Sequence, residues 1–188
     1  VMIMNVNHPS LKDPRIRRAM SLSIDRDLLN EALWLGKAVV PSSHTMKEMG
    51  ALHMPELTTF EYNPELARKL LEESSYNGEE IVFDAYPVYY TNGVLAAQAI
   101  MEMWAEVGIK GRLNVSDKWT GNDPEMMARS WSNPMYFADP FGSFGVMWAP
   151  DGPSEGAGRF NTDADYAETW ERFRFSADVE VRKAAYAE

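Results

Sequence analysis

Cysteine is absent from the 188 residues. That removes a disulfide framework, a thiolate nucleophile and any cysteine-based metal site, and it is compatible with an oxidising compartment without requiring one. Long apolar runs are missing too. None approaches the roughly 20 residues that span a bilayer, and no charged-then-apolar leader opens the chain, so no membrane insertion of this segment is expected. Cations are scarce, with 18 Lys and Arg against 28 Asp and Glu and a formal net charge of -10. Nucleic-acid binding rests on neutralising phosphates, and this balance argues against it. The sequence contains no P-loop, GxSxG elbow, HExxH or dinucleotide fingerprint; the bare Gly-x-Gly of "GPSEGAGRF" follows no strand and opens no βα turn. The three histidines, His8, His44 and His53, match no ligand spacing. Neither a metal nor a cofactor is expected.

Hydrophobic residues make up 45% of the chain, including 12 Met, 6 Trp, 8 Tyr and 8 Phe, enough for a real core in one ordinary domain. Val1 to Val6 reads as a strand. In "KDPRIRRAM" Asp13 can cap a helix whose first residue is Pro14, with Ile16, Ala19 and Met20 on one face and Arg15, Arg17 and Arg18 off it. Asp25 caps a second helix, and Gly36 suits its exit. The stretch from Val39 to Phe60 has no sustained period and reads as a long loop. "YNPELARKLLEESSYNG" predicts a capped amphipathic helix, "EEIVFDAYPVYY" a strand, Thr91 to Gly108 a longer helix and "IKGRLNVS" an alternating strand. "ARSWSN" reads as a further strand. "PMYFADPFGSFGVMWAPDGPSEGAGRFN" reads as a long surface-facing segment. Two helices capped near Thr162 and Asp178 close the chain, with Tyr166, Trp170 and Phe173 inward. Helices alternating with strands over short connections predict an α/β fold with a mainly parallel sheet flanked by helices.

Two kinds of candidate site emerge. Loop carboxylates such as Asp123, Asp139 and Asp151 allow a hydrolase reading, although 28 acids supply such pairs by chance. The aromatic residues are more distinctive. Tyr86, Tyr89 and Tyr90 stand where a strand gives way to a helix, the place where open α/β sheets bind ligands. Trp131, Tyr136, Phe137, Phe141, Phe144 and Trp148 form a second group, with Ser132 and Asn133 as polar neighbours. Many of these rings will be core or loop-anchoring residues. A third reading, a protein-interaction domain, requires a flat apolar surface in place of a cleft.

Four stretches carry a resemblance to a known family. In "HPSLKDPRIRRAMSLSIDRDLL" the positions Asp13, Arg15, Arg18, Ala19, Ser21, Ile24, Asp25 and Arg26 match; "YNPELARKLLEES", "AAQAIMEMWAEVGIKGRLNV" and "DVEVRKAAYAE" match in the same order. The chain thereby resembles the extracytoplasmic solute-binding proteins of the peptide and nickel class (family 5), the receptors of ABC importers. The resemblance implies a lobe of the type II periplasmic-binding-protein fold. Residues 1-188 would be a single lobe, the second of two, with the first lobe and the C-terminal return lying outside the sequence. It also implies capture of a small peptide-like or neutral solute, delivery to ABC permease subunits, a periplasmic or cell-surface location, a monomeric state and no enzymatic activity. Family ligands meet this lobe after a strand carrying tryptophan. Here Trp131 and Asp139-Pro140 match, but Ser132-Asn133-Pro134 replaces the acid that holds a peptide's amino group. The expected ligand-binding residues are Trp131, Ser132, Asn133, Tyr136, Asp139, Tyr89 and Tyr90.

Overall fold

The computed structural model describes every residue except 119, 121, 122, 133 and 134, and the side chains of 143, 144 and 146 are likewise left aside. Packing is organised about two compact units: Val1–Val40 with Glu61–Trp131, and Pro41–Phe60 with Ser132–Glu188.

The first unit is built on a four-stranded sheet, ordered β1 (Met2–Met4), β4 (Ala128–Ser130), β2 (Ile81–Ala85), β3 (Gly111–Val115). β2 pairs in parallel with both β3 and β4, while β1 runs antiparallel to β4. The sheet is therefore mixed and mostly parallel, as the alternation of elements predicts. Phe83 stands opposite Leu113 on one side and Ala128 on the other. Because side chains alternate along a strand, Ile81, Phe83 and Ala85 share one face. They join the core formed with Ile16, Ala19 and Met20 of α1 (Pro14–Leu22), Ala67 and Leu71 of α3 (Pro64–Glu72), and Trp104 of α4 (Gly93–Glu106). The Trp104 ring meets Phe83 edge-on at 6.1 Å and donates its Nε1–H to the carbonyl of Met20 at 3.1 Å. The largest apolar side chain of the core is thus also hydrogen-bonded, as a buried indole requires.

Local chemistry starts and stops these helices. Asp13 Oδ1 accepts the Arg15 N–H at 2.9 Å, and its Oδ2 accepts the Arg15 guanidinium at 2.8 Å and the Ser75 N–H at 3.0 Å. One carboxylate so caps α1 and ties it to the turn after α3. Arg17 donates to the carbonyls of Leu11 and Lys12, and Arg26 to those of Ser21 and Ile24. The opening basic cluster serves local backbone and a local acid. Asp25 caps α2 (Arg26–Trp34), which exits through left-handed Leu35 and Gly36. Asn63 caps α3 by accepting the Leu66 N–H at 3.0 Å.

Boundaries differ from expectation in instructive places. The strand that the run "EEIVFDAYPVYY" predicts ends at Ala85, because Pro87 lacks the N–H a ladder needs. Ala97 and Trp104 of α4 face the core, while Leu95 is exposed.

The second unit contains what composition describes as loop. The stretch from Pro41 to Phe60 holds a 3-10 turn at Lys47–Leu52, which packs against α8 (Val179–Ala187). The segment after Trp131 is not simply surface. It winds a π-helical turn at Phe141–Gly145 and short helices α5 (Val146–Trp148) and α6 (Pro153–Gly156). α7 (Ala164–Phe175) is capped by Asp163, one residue beyond the expected Thr162. Trp170, Phe173 and Ala185 are buried, with Phe141, Ala149, Tyr166 and Tyr186 packed around them. Rings follow one another: Phe160 meets Trp148 at 5.5 Å and Tyr166 at 5.2 Å, Tyr166 stacks on Trp170 at 6.2 Å, and Trp170 meets Phe173 at 5.6 Å. The Tyr166 hydroxyl donates to the Trp148 carbonyl at 2.7 Å, and burial pushes its pKa up to about 12.

Candidate functional site

All three mutually parallel strands of the first unit deliver side chains to one place from their carboxyl ends. β2 runs into Tyr86, Pro87, Val88, Tyr89 and Tyr90; β3 is followed by Asp117; β4 is followed by Trp131. These seven residues line a cleft of about 220 Å³. The carboxyl edge of a parallel sheet is where backbone turns away and leaves room for a ligand.

The cleft's loop is held at both ends. The Tyr86 hydroxyl accepts the Thr120 N–H at 2.9 Å and shares a hydrogen bond with Thr120 Oγ1 at 3.3 Å. At the other end Asn92 adopts a left-handed conformation, φ 58°, which asparagine tolerates better than most residues. Its amide donates to the Leu33 carbonyl at 2.6 Å, fastening the loop to the end of α2. Gly93 is needed by close approach, since a Cβ there would lie 3.0 Å from the Cβ of Tyr90. Between these fixed points Tyr89 and Tyr90 meet edge-on at 4.6 Å and 72°. Tyr89 is 62% exposed and Val88 91%, so this loop presents apolar surface to solvent.

Trp131 is half-buried and its N–H donates to the Val1 carbonyl at 2.9 Å, extending the β1–β4 ladder. Its ring lies against the guanidinium of Arg129, whose Cζ is 4.2 Å from the ring centroid. Arg129 itself is 1% exposed. The arrangement suits stacking and apolar contact with a small solute, with the exposed Asp117 as its one carboxylate.

The residues expected to bind ligand therefore divide. Trp131, Tyr89 and Tyr90 share this cleft. Ser132, Tyr136 and Asp139 belong to the second unit, and Asn133 lies outside the described residues. Tyr136 is 67% exposed, and its N–H donates to the Gly142 carbonyl at 3.2 Å. Asp139 has extensive local partners. Both its oxygens accept from the Arg182 guanidinium at 2.8 Å, and Oδ1 also accepts the Phe141 N–H at 2.8 Å. Partial burial would raise its pKa, but the hydrogen bonds and charge of Arg182 outweigh that and hold it below the ordinary carboxylate value. Such a carboxylate anchors the loop before the π-helical turn to α8. Of the second aromatic group, Phe141 packs on the Trp170 core and Trp148 joins the ring stack; the Phe144 side chain lies outside the described ones.

The acids of the hydrolase reading have separate local surroundings. Asp123 Oδ1 accepts the Glu125 N–H at 2.9 Å within its own turn, and Asp151 is exposed. Asp139 borders an open cavity with Phe137, Arg174 and Arg182, without Asp151. No group of three or more His, Asp or Glu among the described residues is placed to hold a metal ion. His8 caps the turn at Pro9–Leu11 by accepting the Ser10 N–H at 3.2 Å, and His44 packs edge-on against Phe60 at 4.8 Å. Burial lowers the His44 pKa. His44 borders a larger, mostly apolar cavity of about 420 Å³ in the second unit, between Phe60, Tyr166, Trp170 and Tyr186.

Sequence reasoning missed Asp117 and Arg129. Asp117 was within reach of it, since it follows β3 as Tyr86 follows β2. Arg129 was not, because its relation to Trp131 depends on where β4 lies in the sheet.

Comparison with known proteins places these features in a family. The family model described as bacterial extracellular solute-binding proteins, family 5 Middle, matches residues 1–155. A di/tripeptide-binding protein of Pseudomonas aeruginosa (strain UCBPP-PA14) is 25% identical over 158 residues, covering 78% of this chain and 29% of that protein. The dipeptide-binding protein of Escherichia coli (strain K12) is 28% identical over 119 residues, covering 61% and 22%. The solved structure of HbpA2 from Haemophilus parasuis superposes with a TM-score of 0.81 at 22% identity, covering 99% of this chain and 38% of that one. That last likeness is one of fold. The chain spans less than a third of the length of these curated relatives.

Proposed function

Because the chain belongs to the bacterial extracellular solute-binding proteins of family 5, we propose that residues 1-188 form the second lobe of such a protein and contribute one wall of its solute site. The observation that carries this reading is the convergence of Tyr86 to Tyr90, Asp117 and Trp131 on the carboxyl edge of the parallel strands. Ligand pockets are mostly apolar clefts with a few polar groups that fix orientation, and this one has aromatic walls and a single carboxylate. The solute is a small peptide-like or neutral molecule whose apolar part stacks on Trp131 and Tyr89. Ser132, Asn133, Tyr136 and Asp139 remain proposed contributors from the segment that follows Trp131, with Asp139 acting through the loop it anchors. The protein binds and releases its solute unchanged; it is no enzyme and uses no cofactor or metal. It works as a monomer outside the cytoplasm and passes the solute to ABC permease subunits, with closure of two lobes selected by ligand contacts.

The test is a tryptophan-fluorescence titration of the full-length protein against di- and tripeptides and neutral solutes. Saturable binding by at least one of them, weakened at least tenfold by Trp131→Ala, is the expected result. Binding unaffected by both Trp131→Ala and Tyr89→Ala would overturn the assignment of the site.

A further inference from the structure

The side chain beneath Trp131 is unusual for a sheet interior. Arg129 is a long cation, 1% exposed, on the short strand β4. It precedes Trp131 by two residues, and the ring and the guanidinium lie on each other, Cζ to centroid 4.2 Å. A cation over an indole face is the strongest of the common cation–π arrangements, more so when water is kept away.

What lies beside Arg129 makes it a rigid support. In the register of the sheet, Arg129 is the Cα partner of Asp84 on β2, and Asp84 is the partner of Asn114 on β3. Asn114 Nδ2 donates to Asp84 Oδ1 at 2.7 Å, and Asp84 is itself 7% exposed. A polar row thus crosses three strands, on the sheet face opposite Phe83. It sets a fixed, buried carboxylate at the position neighbouring the arginine. Buried charges of this kind contribute little to stability compared with well-packed apolar residues of the same volume.

We infer that Arg129 is the positioning residue of the solute site: it fixes the plane of the Trp131 ring from beneath and sets which moiety that ring accepts. This rests on the proposed function of the cleft. The cation draws ring electron density toward itself, so the indole disfavours a second cation and favours neutral apolar groups. A positively charged part of the solute is directed toward Asp117, the carboxylate that lines the cleft.

The test uses the full-length protein and two readouts. The first needs no solute. The emission of Trp131 is isolated by subtracting the spectrum of Trp131→Phe, and it is compared in wild type, Arg129→Lys and Arg129→Met. Arg129→Met is expected to shift this emission and at least double its quenching by acrylamide, while Arg129→Lys stays near wild type. An unchanged Trp131 signature in folded Arg129→Met, or equal behaviour of the two variants, overturns the inference. Should the arginine variants fail to fold, NMR of the wild-type protein decides. The Arg129 side-chain resonances are shifted upfield by the indole ring current, and Trp131→Ala returns them to ordinary positions; their lack of any such shift overturns the inference. The second readout is the affinity for a dipeptide panel. Arg129→Met is expected to weaken binding roughly tenfold relative to wild type, with recovery in Arg129→Lys. If none of the di- and tripeptides or neutral solutes binds wild type, the function assigned to the cleft fails while the emission and ring-current results still decide the role of Arg129.

Discussion

The two units of the chain solve the same folding problem with different materials. The first packs an apolar helix layer on a mixed, mostly parallel sheet and seals it with a few specific hydrogen bonds, such as Trp104 Nε1–H to Met20 and Ser75 N–H to Asp13. The second has little regular sequence pattern over Pro41–Phe60 or the segment that follows Trp131. It is held by rings stacked on rings, by the Asp139–Arg182 pair and by side chains bonded to nearby backbone. Periodic sequence lets backbone ladders carry the order. Sequence rich in proline, glycine and aromatics leaves that work to side chains, whose geometry has to be met residue by residue. The cleft lies in the first unit, where strand ends are fixed by the ladder and a binding surface can be held still.

The largest effect is expected from Trp104→Ala, which removes a fully buried indole and one of the two side-chain donors to the Met20 carbonyl, Ser23 Oγ being the other; it should cost about 3–5 kcal/mol in urea unfolding. A loss below about 1 kcal/mol would mean that apolar packing does not govern the first unit. Arg182→Met should cost about 2 kcal/mol, since the half-buried Asp139 would lose its charged donor. Hydrogen exchange should locate that loss in peptides of the second unit, with amides of β2 and β3 unchanged. Asp13→Ala should cost about 1 kcal/mol as a lost helix cap, in the first unit alone.

The smallest effect is one of pH, and it separates the units. His44 has a lowered pKa in the folded state, so its contribution is complete above the unfolded value of about 6.5 and is lost as pH falls through that value toward the folded one. The Asp13 and Asp139 carboxylates have depressed values, so their contributions are complete above about pH 4 and are lost only below it. Acidification from pH 7 to 5 is therefore expected to loosen the second unit first, with the first unit following below about pH 4. Simultaneous loss of protection in both units between pH 7 and 5 would contradict the assignment to His44. His44→Phe should abolish the early step.

Much of the fold was legible. Asp13 with Pro14, Asn63 with Pro64, and the apolar stripes behind them identify α1 and α3, because capping and helical period are local properties of the chain. The site was half legible. Tyr89, Tyr90 and Trp131 stand out by composition and by their place at strand ends. Asp139 stood out as a loop carboxylate and by the family resemblance, yet its environment is an ion pair with Arg182, 43 residues away in sequence. Spacing cannot reveal such a partner. Phe141 and Trp148 belong to an aromatic group whose rings were expected in large part to be packing elements, and they are: Phe141 meets Trp170 of α7 and Trp148 meets Phe160.

The sequence by itself determined the elements, their alternation, the absence of common catalytic motifs and the family, because each of these is written in neighbouring residues or in their order. Only the tertiary structure decided which aromatic residues face a cleft and which fill a core. It also decided that Asp117 lines the same cleft as Tyr86 and that Arg129 lies beneath Trp131. Those relations depend on strand register, and a shift of one residue along β4 would turn Arg129 and Trp131 to the other face of the sheet.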